Sequence, residues 1–186
     1  MQASVALSLP DLIDKVVAPL MEKVGEFWQN GRFRVAHEHA VSGVVRTFLG
    51  NLRFSKPAAE YAPTAIVATP AGQLHEIGAQ MAAVTAASEG WQVVYLGPNL
   101  PAQEIALAAT RKNAQAILLS IVYPQDDPFL GDELTRLHDI LQPGTTIFVG
   151  GRAARSYTAV LETSHAIMLD DLKSLRRQLQ ALRGNG

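Results

Sequence analysis

The sequence predicts an α/β fold in which a helical region precedes a parallel sheet. Residues 8–54 carry apolar side chains at three- and four-residue spacing, which is typical of amphipathic helices. After residue 63 the pattern changes to short β-rich runs that alternate with amphipathic stretches. Strands that alternate with helices form parallel βαβ units with helices on both faces of the sheet. We therefore predict an N-terminal helical bundle followed by a flavodoxin-like, Rossmann-like five-stranded parallel sheet.

The helical bundle is predicted to span residues 1–54 and to contain two main helices. Pro10 fits the start of the first helix, Pro19 predicts a kink or a break in it, and Gly31 is a candidate for its C-cap. The second helix presents an apolar face made of Val41, Val45, Phe48, Leu49 and Leu52. Residues 55–63 carry two prolines without periodicity, so they are predicted to be a linker.

Five β-rich runs define the predicted α/β domain, residues 64–186. They are TAIVA, VVYLG, AILLSIV, TIFVG and the weaker AIM. We expect the strand order 2-1-3-4-5. In that order, the ligand crevice lies beyond the carboxyl ends of the first and third strands.

Composition excludes several classes of function. The chain has 186 residues, 48% hydrophobic residues, a formal net charge of −1 and no cysteine. The charge balance gives no electrostatic footprint for nucleic acid or an anionic membrane. Without cysteine, disulfides, thiolate nucleophiles and cysteine-based zinc sites are excluded. No apolar run approaches a membrane span and no signal peptide is visible, so we expect a cytoplasmic protein without membrane contact.

The usual motifs of enzymes on this fold are missing from the sequence. The segment TPAGQLHEIG after the first strand has no dinucleotide-binding fingerprint, and the chain has neither a P-loop nor a G-x-S-x-G nucleophile elbow. Ser120 ends the third strand, where a phospho-receiver domain needs an acid. We therefore do not expect an enzyme.

Residues at the predicted crevice point instead to a bound group. His75 follows the first strand, Ser120 and Val122 end the third, and Gly150 and Gly151 follow the fourth. Glycines allow a flat or extended group to approach the backbone. A hydroxyl can hold a polar atom of that group, and an imidazole can bind a metal.

Together, GQLHEIG, SIV and VGG resemble the cobalamin-binding domain, whose pattern is acid-x-His-x-x-Gly, Ser-x-Val/Leu and Gly-Gly. The resemblance implies that His75 displaces the dimethylbenzimidazole and becomes the lower cobalt ligand. It also implies that the nucleotide tail enters a slot between the first and third strands, beside Gly78. Ser120 then bonds the displaced base, and Gly150 and Gly151 make room for it.

Gln73 departs from this pattern, because the family has an acid two residues before the histidine. Such a carboxylate accepts the second N–H of the imidazole and raises its basicity. A glutamine carbonyl can accept the same bond without charge. We therefore expect Gln73 to hold His75 less firmly, and Gln73→Glu to raise cofactor affinity.

The helical region resembles the light-sensing, cobalamin-dependent transcriptional regulators of the CarH type. Trp28, nine further residues and the pair Glu38-His39 reproduce a motif of that family. Glu38 also lies on the apolar stripe of the second helix, where an unpaired carboxylate is costly. The resemblance implies that Trp28 packs on the 5′-deoxyadenosyl group of adenosylcobalamin and that Glu38-His39 helps to hold it.

Two further features concern the cobalt ligand after illumination and the DNA-binding module. Gln29 stands where some family members have a histidine that ligates cobalt after illumination, and His37 and His39 cannot both face the metal because they point about 200° apart. The family's N-terminal MerR-like DNA-binding module is not in this sequence, so we expect a truncated sensor domain or a natural short form. The resemblance further implies a homo-oligomer that binds no nucleic acid through this chain itself.

Two functions remain in competition, with a third less favoured. A sensor binds adenosylcobalamin, loses the adenosyl group in light and changes its association state. A corrinoid carrier instead shuttles a methyl group for a methyltransferase and has no use for Trp28 and Glu38-His39 at the upper face. A mutase subunit needs a catalytic barrel that the sequence lacks. We expect the sensor.

Overall fold

The computed structural model describes residues 7–53 and 59–184. The chain divides into two compact units, Met1–Ser55 and Lys56–Gly186. Residues 55–58 of the predicted linker lie outside the described residues. Within the described residues, no helix is both long and apolar enough to cross a membrane.

The helical unit begins with an α-helix that widens into a π-helical segment before Pro19. Helix α1 spans Leu9–Leu12, the π-helical segment spans Ile13–Val17, and α2 spans Ala18–Gln29. The N–H of Ala18 donates to the carbonyl of Ile13, five residues back. Proline has no N–H and its ring collides with the carbonyl four residues earlier, and the wider turn accommodates this. The predicted kink or break at Pro19 is therefore a local change of helix type.

The second helix and the turn before it follow the sequence pattern. Gly31 adopts φ +69° directly after the helix end, and the N–H of Arg32 donates to the carbonyl of Phe27 over 2.8 Å. This is the left-handed helix ending that glycine favours. Helix α3 spans Val35–Arg53, and Val45 and Leu49 of the predicted stripe are buried.

The second unit is a five-stranded parallel sheet in the order β2-β1-β3-β4-β5, as predicted. Its strands are β1 (Thr64–Pro70), β2 (Gln92–Leu100), β3 (Ala116–Ser120), β4 (Thr146–Gly150) and β5 (Ile167–Met168). Its α-helices are α4 (Ile77–Ser88), α5 (Ala102–Arg111), α6 (Leu130–Ile140), α7 (Thr158–Thr163) and α8 (Leu172–Gly184), with a 3₁₀ turn at Ala154–Tyr157.

Hydrophobic layers cover both faces of the sheet. Alternate residues of β1 face opposite sides: Ile66 packs in the layer with α5 and α6, and Val67 in the layer with α4 and α8. Trp91, just before β2, is buried in the second layer. Every residue of β1 and β3 is buried. A parallel strand between two helical layers needs such a continuous apolar run, and this is the pattern that TAIVA and AILLS show.

Candidate functional site

His75 lies in the loop between β1 and α4, at the carboxyl edge of the sheet, and its side chain is exposed. Tyr123, in the loop after β3, packs edge-on against it. The two ring centroids are 5.6 Å apart and the planes are inclined by 78°. The imidazole therefore has an aromatic neighbour and remains accessible to a metal.

Gly78 brings α4 into close contact with the end of β3. A Cβ atom at Gly78 would lie 2.5 Å from the hydroxyl oxygen of Ser120 and 3.9 Å from Val122. Ser120 is 5% exposed, and it pairs with Gly150 in the parallel register of β3 and β4. The predicted residues of the first, third and fourth strands thus meet at one edge. A larger residue at 78 would fill the space above the Ser120 hydroxyl.

Gly151 has a different role from the one expected of it. Its φ is +101°, and a Cβ there would overlap the backbone of Ile121. The N–H of Ile121 also donates to the carbonyl of Gly150 over 2.9 Å. Gly151 therefore lets the chain after β4 lie directly on the chain after β3, whereas a Cβ at Gly150 would make only ordinary contacts with Leu169. In this structure, the space left by the missing side chain of Gly151 is occupied by protein backbone.

Gln73 is fully buried, and its amide faces the loop after β3. Its Oε1 accepts from the N–H groups of Val122 (3.0 Å) and Tyr123 (3.1 Å), and its Nε2 donates to the carbonyl of Pro124 over 3.2 Å. An amide oxygen has two lone pairs, and both are used. The expectation that this oxygen accepts from His75 is therefore corrected: Gln73 bonds the neighbouring loop.

Glu76 and Tyr95 are further members of this edge that sequence reasoning missed. The Tyr95 hydroxyl, on β2, donates to the Glu76 carboxylate over 2.5 Å, and the Gln80 amide donates to the same oxygen over 3.3 Å. Glu76 directly follows His75 and precedes α4. No local signal links it to a tyrosine nineteen residues away, because the contact exists only once β2 pairs with β1.

Exposed apolar side chains also stand in the loops at this edge. Leu74 is 66% exposed, Tyr123 46% and Phe129 75%. Leu74 precedes His75, and the other two lie between β3 and α6. Large exposed apolar residues that cluster together mark binding surfaces more often than isolated ones do. Their position beside the motif residues is the signal that could have identified them from the sequence.

Tyr157 connects the loop after β3 to the chain after β4. Its hydroxyl donates to the carbonyl of Asp127 over 3.1 Å. Burial raises the pKa of Tyr157 and outweighs the opposite effect of the hydrogen bond to Asp127. A tyrosine is protonated at neutral pH with or without this shift, so the hydroxyl can act as the donor.

In the helical unit, Glu38 lies on the inner stripe of α3, as predicted, and it has protein partners. Its carboxylate accepts from the Ser42 hydroxyl over 2.5 Å and contacts the His39 imidazole at 2.6 Å. The Glu38 side chain is 23% exposed and that of His39 is 73% exposed. Ser42 and His39 therefore pair the Glu38 carboxylate within the protein, so its place on the apolar stripe does not by itself indicate a bound ligand.

The other sequence-predicted residues of the helical unit lie on α2 and α3. Trp28 is half-buried near the end of α2, and Gln29 beside it is exposed. His37 accepts from the backbone N–H of Arg34 over 3.3 Å, and its ring packs 5.7 Å from Phe33. His37 thus has a local role at the start of α3.

Metal binding at this edge depends on a single side chain. Among the residues that the structure describes, no group of three or more histidine, aspartate or glutamate side chains could hold a metal ion. One imidazole can complete the coordination of a metal whose other ligands come from a macrocycle. A cobalt corrinoid therefore fits this edge of the sheet. The edge offers an exposed imidazole at His75, a close contact between Gly78 and Ser120, and the exposed apolar side chains of Leu74, Tyr123 and Phe129.

Comparisons with known proteins identify the class. Residues 63–171 match a family described as B12 binding domain, and residues 2–53 match a second family of the same description. This chain belongs to the family of B12 binding domains, and its cofactor is a cobalamin.

The resemblance to CarH-type regulators is also confirmed in sequence. The chain is 36% identical over 160 residues to the HTH-type transcriptional repressor CarH of Myxococcus xanthus. The aligned region covers 85% of this chain and 53% of CarH. It is 28% identical over 120 residues to the repressor CarA of the same organism, which covers 64% of this chain and 40% of CarA. The chain thus spans about half the length of these relatives or less.

Solved structures share the fold at low sequence identity. The monomethylamine corrinoid protein of Methanosarcina barkeri aligns with a TM-score of 0.71 at 18% identity, covering 95% of this chain and 84% of that one. A cobalamin-binding protein from Desulfitobacterium hafniense DCB-2 aligns with a TM-score of 0.57 at 19% identity, covering 94% and 90%. These likenesses support the predicted architecture.

Proposed function

We propose that this chain is the adenosylcobalamin-binding sensor domain of a CarH-type transcriptional regulator. In this proposal it binds the cofactor, responds to light and changes its association state, without catalytic turnover. The observation that carries the cofactor site is the exposed imidazole of His75 beside the Gly78–Ser120 contact. The sensor assignment rests on the similarity to the CarH repressor, which extends over 85% of this chain.

His75 is the residue that would bind the cobalt. Imidazole is the commonest metal ligand among side chains, and this one is exposed at the edge where ligands of such sheets bind. Leu74, Tyr123 and Phe129 offer apolar surface to the corrin ring. The buried Ser120 hydroxyl is the proposed partner of the displaced base, and a side chain at position 78 would collide with it.

Trp28, Glu38 and His39 are the proposed contacts of the adenosyl group. Adenosylcobalamin supplies a cobalt–carbon bond that light can cleave. The indole of Trp28 offers a flat apolar surface to a nucleoside, and the Glu38 carboxylate can accept hydrogen bonds from ribose hydroxyls. Because Ser42 and His39 already hold that carboxylate, its geometry is set before the cofactor binds.

Loss of the adenosyl group would remove the proposed contact of Trp28. In this proposal that loss changes the conformation of the helical unit, and a homo-oligomer that depends on this conformation would rearrange. Gln29 stands where some family members have a histidine that binds cobalt after illumination, so we propose that water or His39 would bind the cobalt in its place. The DNA contact of such a regulator would belong to another module, and its setting would be the cytoplasm.

A methyl-carrying corrinoid protein is the second candidate. The monomethylamine corrinoid protein shares the fold of this chain at 18% identity, so the fold is compatible with both candidates. A methyl group is too small to contact Trp28 and Glu38 together. The two candidates therefore differ in which cobalamin the protein prefers.

The test compares adenosylcobalamin with methylcobalamin on the full chain. Absorption spectra and equilibrium titration in the dark should show tighter binding of the adenosyl form. Size-exclusion chromatography before and after illumination should then show a change in association state only for the adenosyl-loaded protein. Equal affinity for both cobalamins, with no light-dependent change in spectrum or size, would reject the sensor and favour the carrier.

A further inference from the structure

The Gln73 amide binds three consecutive backbone groups of the loop after β3. Oε1 accepts from the N–H groups of Val122 and Tyr123, and Nε2 donates to the carbonyl of Pro124. The side chain is fully buried. It bridges segments about fifty residues apart in the sequence, so it joins the loop that carries His75 to the loop that carries Tyr123.

The chemistry of this contact requires an amide. Two backbone donors face one side of the Gln73 head group and one backbone acceptor faces the other. An amide matches this arrangement, because it has an acceptor oxygen and a donor nitrogen, whereas an ionised carboxylate only accepts. A glutamate at this position would place a buried negative charge against the Pro124 carbonyl.

The same contact reaches the imidazole through Tyr123. The backbone N–H of Tyr123 is held by Gln73, and its ring packs edge-on against His75 at 5.6 Å. The backbone of Gln73 is also held in place by hydrogen bonds. The N–H of Gln73 donates to the Pro70 carbonyl over 3.0 Å, and its carbonyl accepts from the Thr69 hydroxyl.

We propose that Gln73 is a positioning residue that fixes Tyr123 against His75 before the cofactor binds. This inference rests on the proposed cofactor site and replaces the direct hydrogen bond to His75 that the sequence suggested. Gln73 therefore sets the ligand's orientation through a packed aromatic ring. An amide at this position is part of the site, and a carboxylate weakens it.

The first experiment uses the cofactor-free protein. In Gln73→Met, the Val122 and Tyr123 amides lose their acceptor, so their hydrogen exchange should become faster by on the order of 10- to 100-fold. The NMR signals of the His75 ring protons should move as Tyr123 is released. Gln115→Met is the matched control: Gln115 bonds the Thr64 N–H (2.7 Å) and the Asn113 carbonyl (2.7 Å) in the same unit, at the amino edge of the sheet. It should leave both signals unchanged.

The second experiment measures cobalamin affinity in Gln73→Glu and in the control Gln115→Glu. Gln73→Glu should weaken binding by roughly 10-fold, since one buried carbonyl loses its donor. Gln115→Glu should leave the affinity unchanged.

The two experiments decide whether Gln73 acts on His75 through Tyr123, as proposed, or through a direct hydrogen bond. Unchanged or higher affinity in Gln73→Glu, or unaltered exchange of the two amides in Gln73→Met, would overturn the proposal. If the wild-type protein bound no cobalamin while Gln73→Met still released the Val122 and Tyr123 amides, the proposed function would fail and the loop contact would stand.

Discussion

At the scale of single residues, two glycines share a backbone conformation and differ in what surrounds them. Gly151 has φ +101° and Gly144 has φ +99°. A Cβ at Gly151 would overlap the backbone of Ile121, whereas a Cβ at Gly144 would meet nothing within 4 Å. The pair therefore separates the cost of backbone strain from the cost of a collision.

We expect Gly151→Ala to lower the free energy of unfolding by about 3 kcal/mol or more, because strain and overpacking add. Gly144→Ala should cost only about 1–2 kcal/mol, from strain alone. Urea unfolding of the cofactor-free proteins measures both changes. If the two variants lost equal free energy of unfolding, the predicted collision between a Cβ at position 151 and the backbone of Ile121 would be wrong.

Gly78 is expected to matter for the cofactor more than for stability. In Gly78→Ala the new Cβ meets the Ser120 hydroxyl, which can rotate away, and so stability should change little while the added methyl obstructs the site. Gly131, also the second residue of a helix, is the matched control, since a Cβ there makes an ordinary 3.6 Å contact. Cobalamin affinity should fall about 10-fold or more in Gly78→Ala, as for a lost contact worth about 1.4 kcal/mol. Affinity in Gly131→Ala should remain that of wild type.

His75 should affect binding without affecting the fold. Its side chain is exposed, so His75→Ala should leave the thermal midpoint of the cofactor-free protein nearly unchanged. Cobalamin binding should be abolished or leave a corrinoid without imidazole on cobalt, which the absorption spectrum reports. His138→Ala, on α6, is the control. A wild-type spectrum and affinity in His75→Ala would rule out this histidine as the ligand.

At the scale of elements, the start of α8 depends on one carboxylate. The N–H of Ser174 donates to Asp171 over 2.7 Å, and this bond holds the pKa of Asp171 below its usual range. A carboxyl whose pKa is lowered in the native state adds stability at pH values above the ordinary pKa of aspartate. That stability is lost as the pH falls through the native value.

Asp171→Ala should therefore destabilise the protein by about 1 kcal/mol at neutral pH, which is typical for a lost N-cap. The difference in the free energy of unfolding between this variant and wild type should start to decrease near pH 4. It should disappear at pH values below the lowered pKa of native Asp171. Asp139→Ala, an exposed position on α6, is the control and should change little. A difference that persisted undiminished in acid would exclude the charged cap as its cause.

The elements with a periodic pattern could be predicted, and contacts between distant segments could not. The continuous apolar runs of β1 and β3 predict a buried parallel sheet because both faces are covered. Pro19 predicts a disturbed helix, but a kink, a break and a π-helical segment all fit the same sequence, and only the structure shows that the chain forms the last of these.

The same distinction holds for the candidate site. His75, Gly78, Ser120 and the double glycine could be placed at one edge because parallel strands end together. The partners of Gln73 could not, since the three backbone groups it binds are about fifty residues away. The Ser42 hydroxyl lies one helical turn after Glu38, so that contact was within reach of the sequence.

At the scale of the whole molecule, the proposed preference for adenosylcobalamin can be tested at Trp28. Trp28→Ala should reduce the preference for adenosylcobalamin over methylcobalamin, because the lost indole would contact only the larger upper group. A buried aromatic contact is worth about 3 kcal/mol, so the preference could fall by as much as about 100-fold. Phe33→Ala, in the turn after α2, is the control. Equal loss of affinity for both cobalamins would show that Trp28 only supports the helical unit.

The chain's two tryptophans are divided between the units, with Trp28 on α2 and Trp91 before β2. Tryptophan fluorescence, excited at wavelengths that tyrosine does not absorb, therefore contains one emitter from each unit. Trp91 is 2% exposed, and its emission should be blue-shifted relative to that of the half-buried Trp28. In Trp28→Phe the whole signal would come from the α/β unit, and in Trp91→Phe from the helical unit. The two single-emitter proteins can thus reveal whether the units melt together or one after the other.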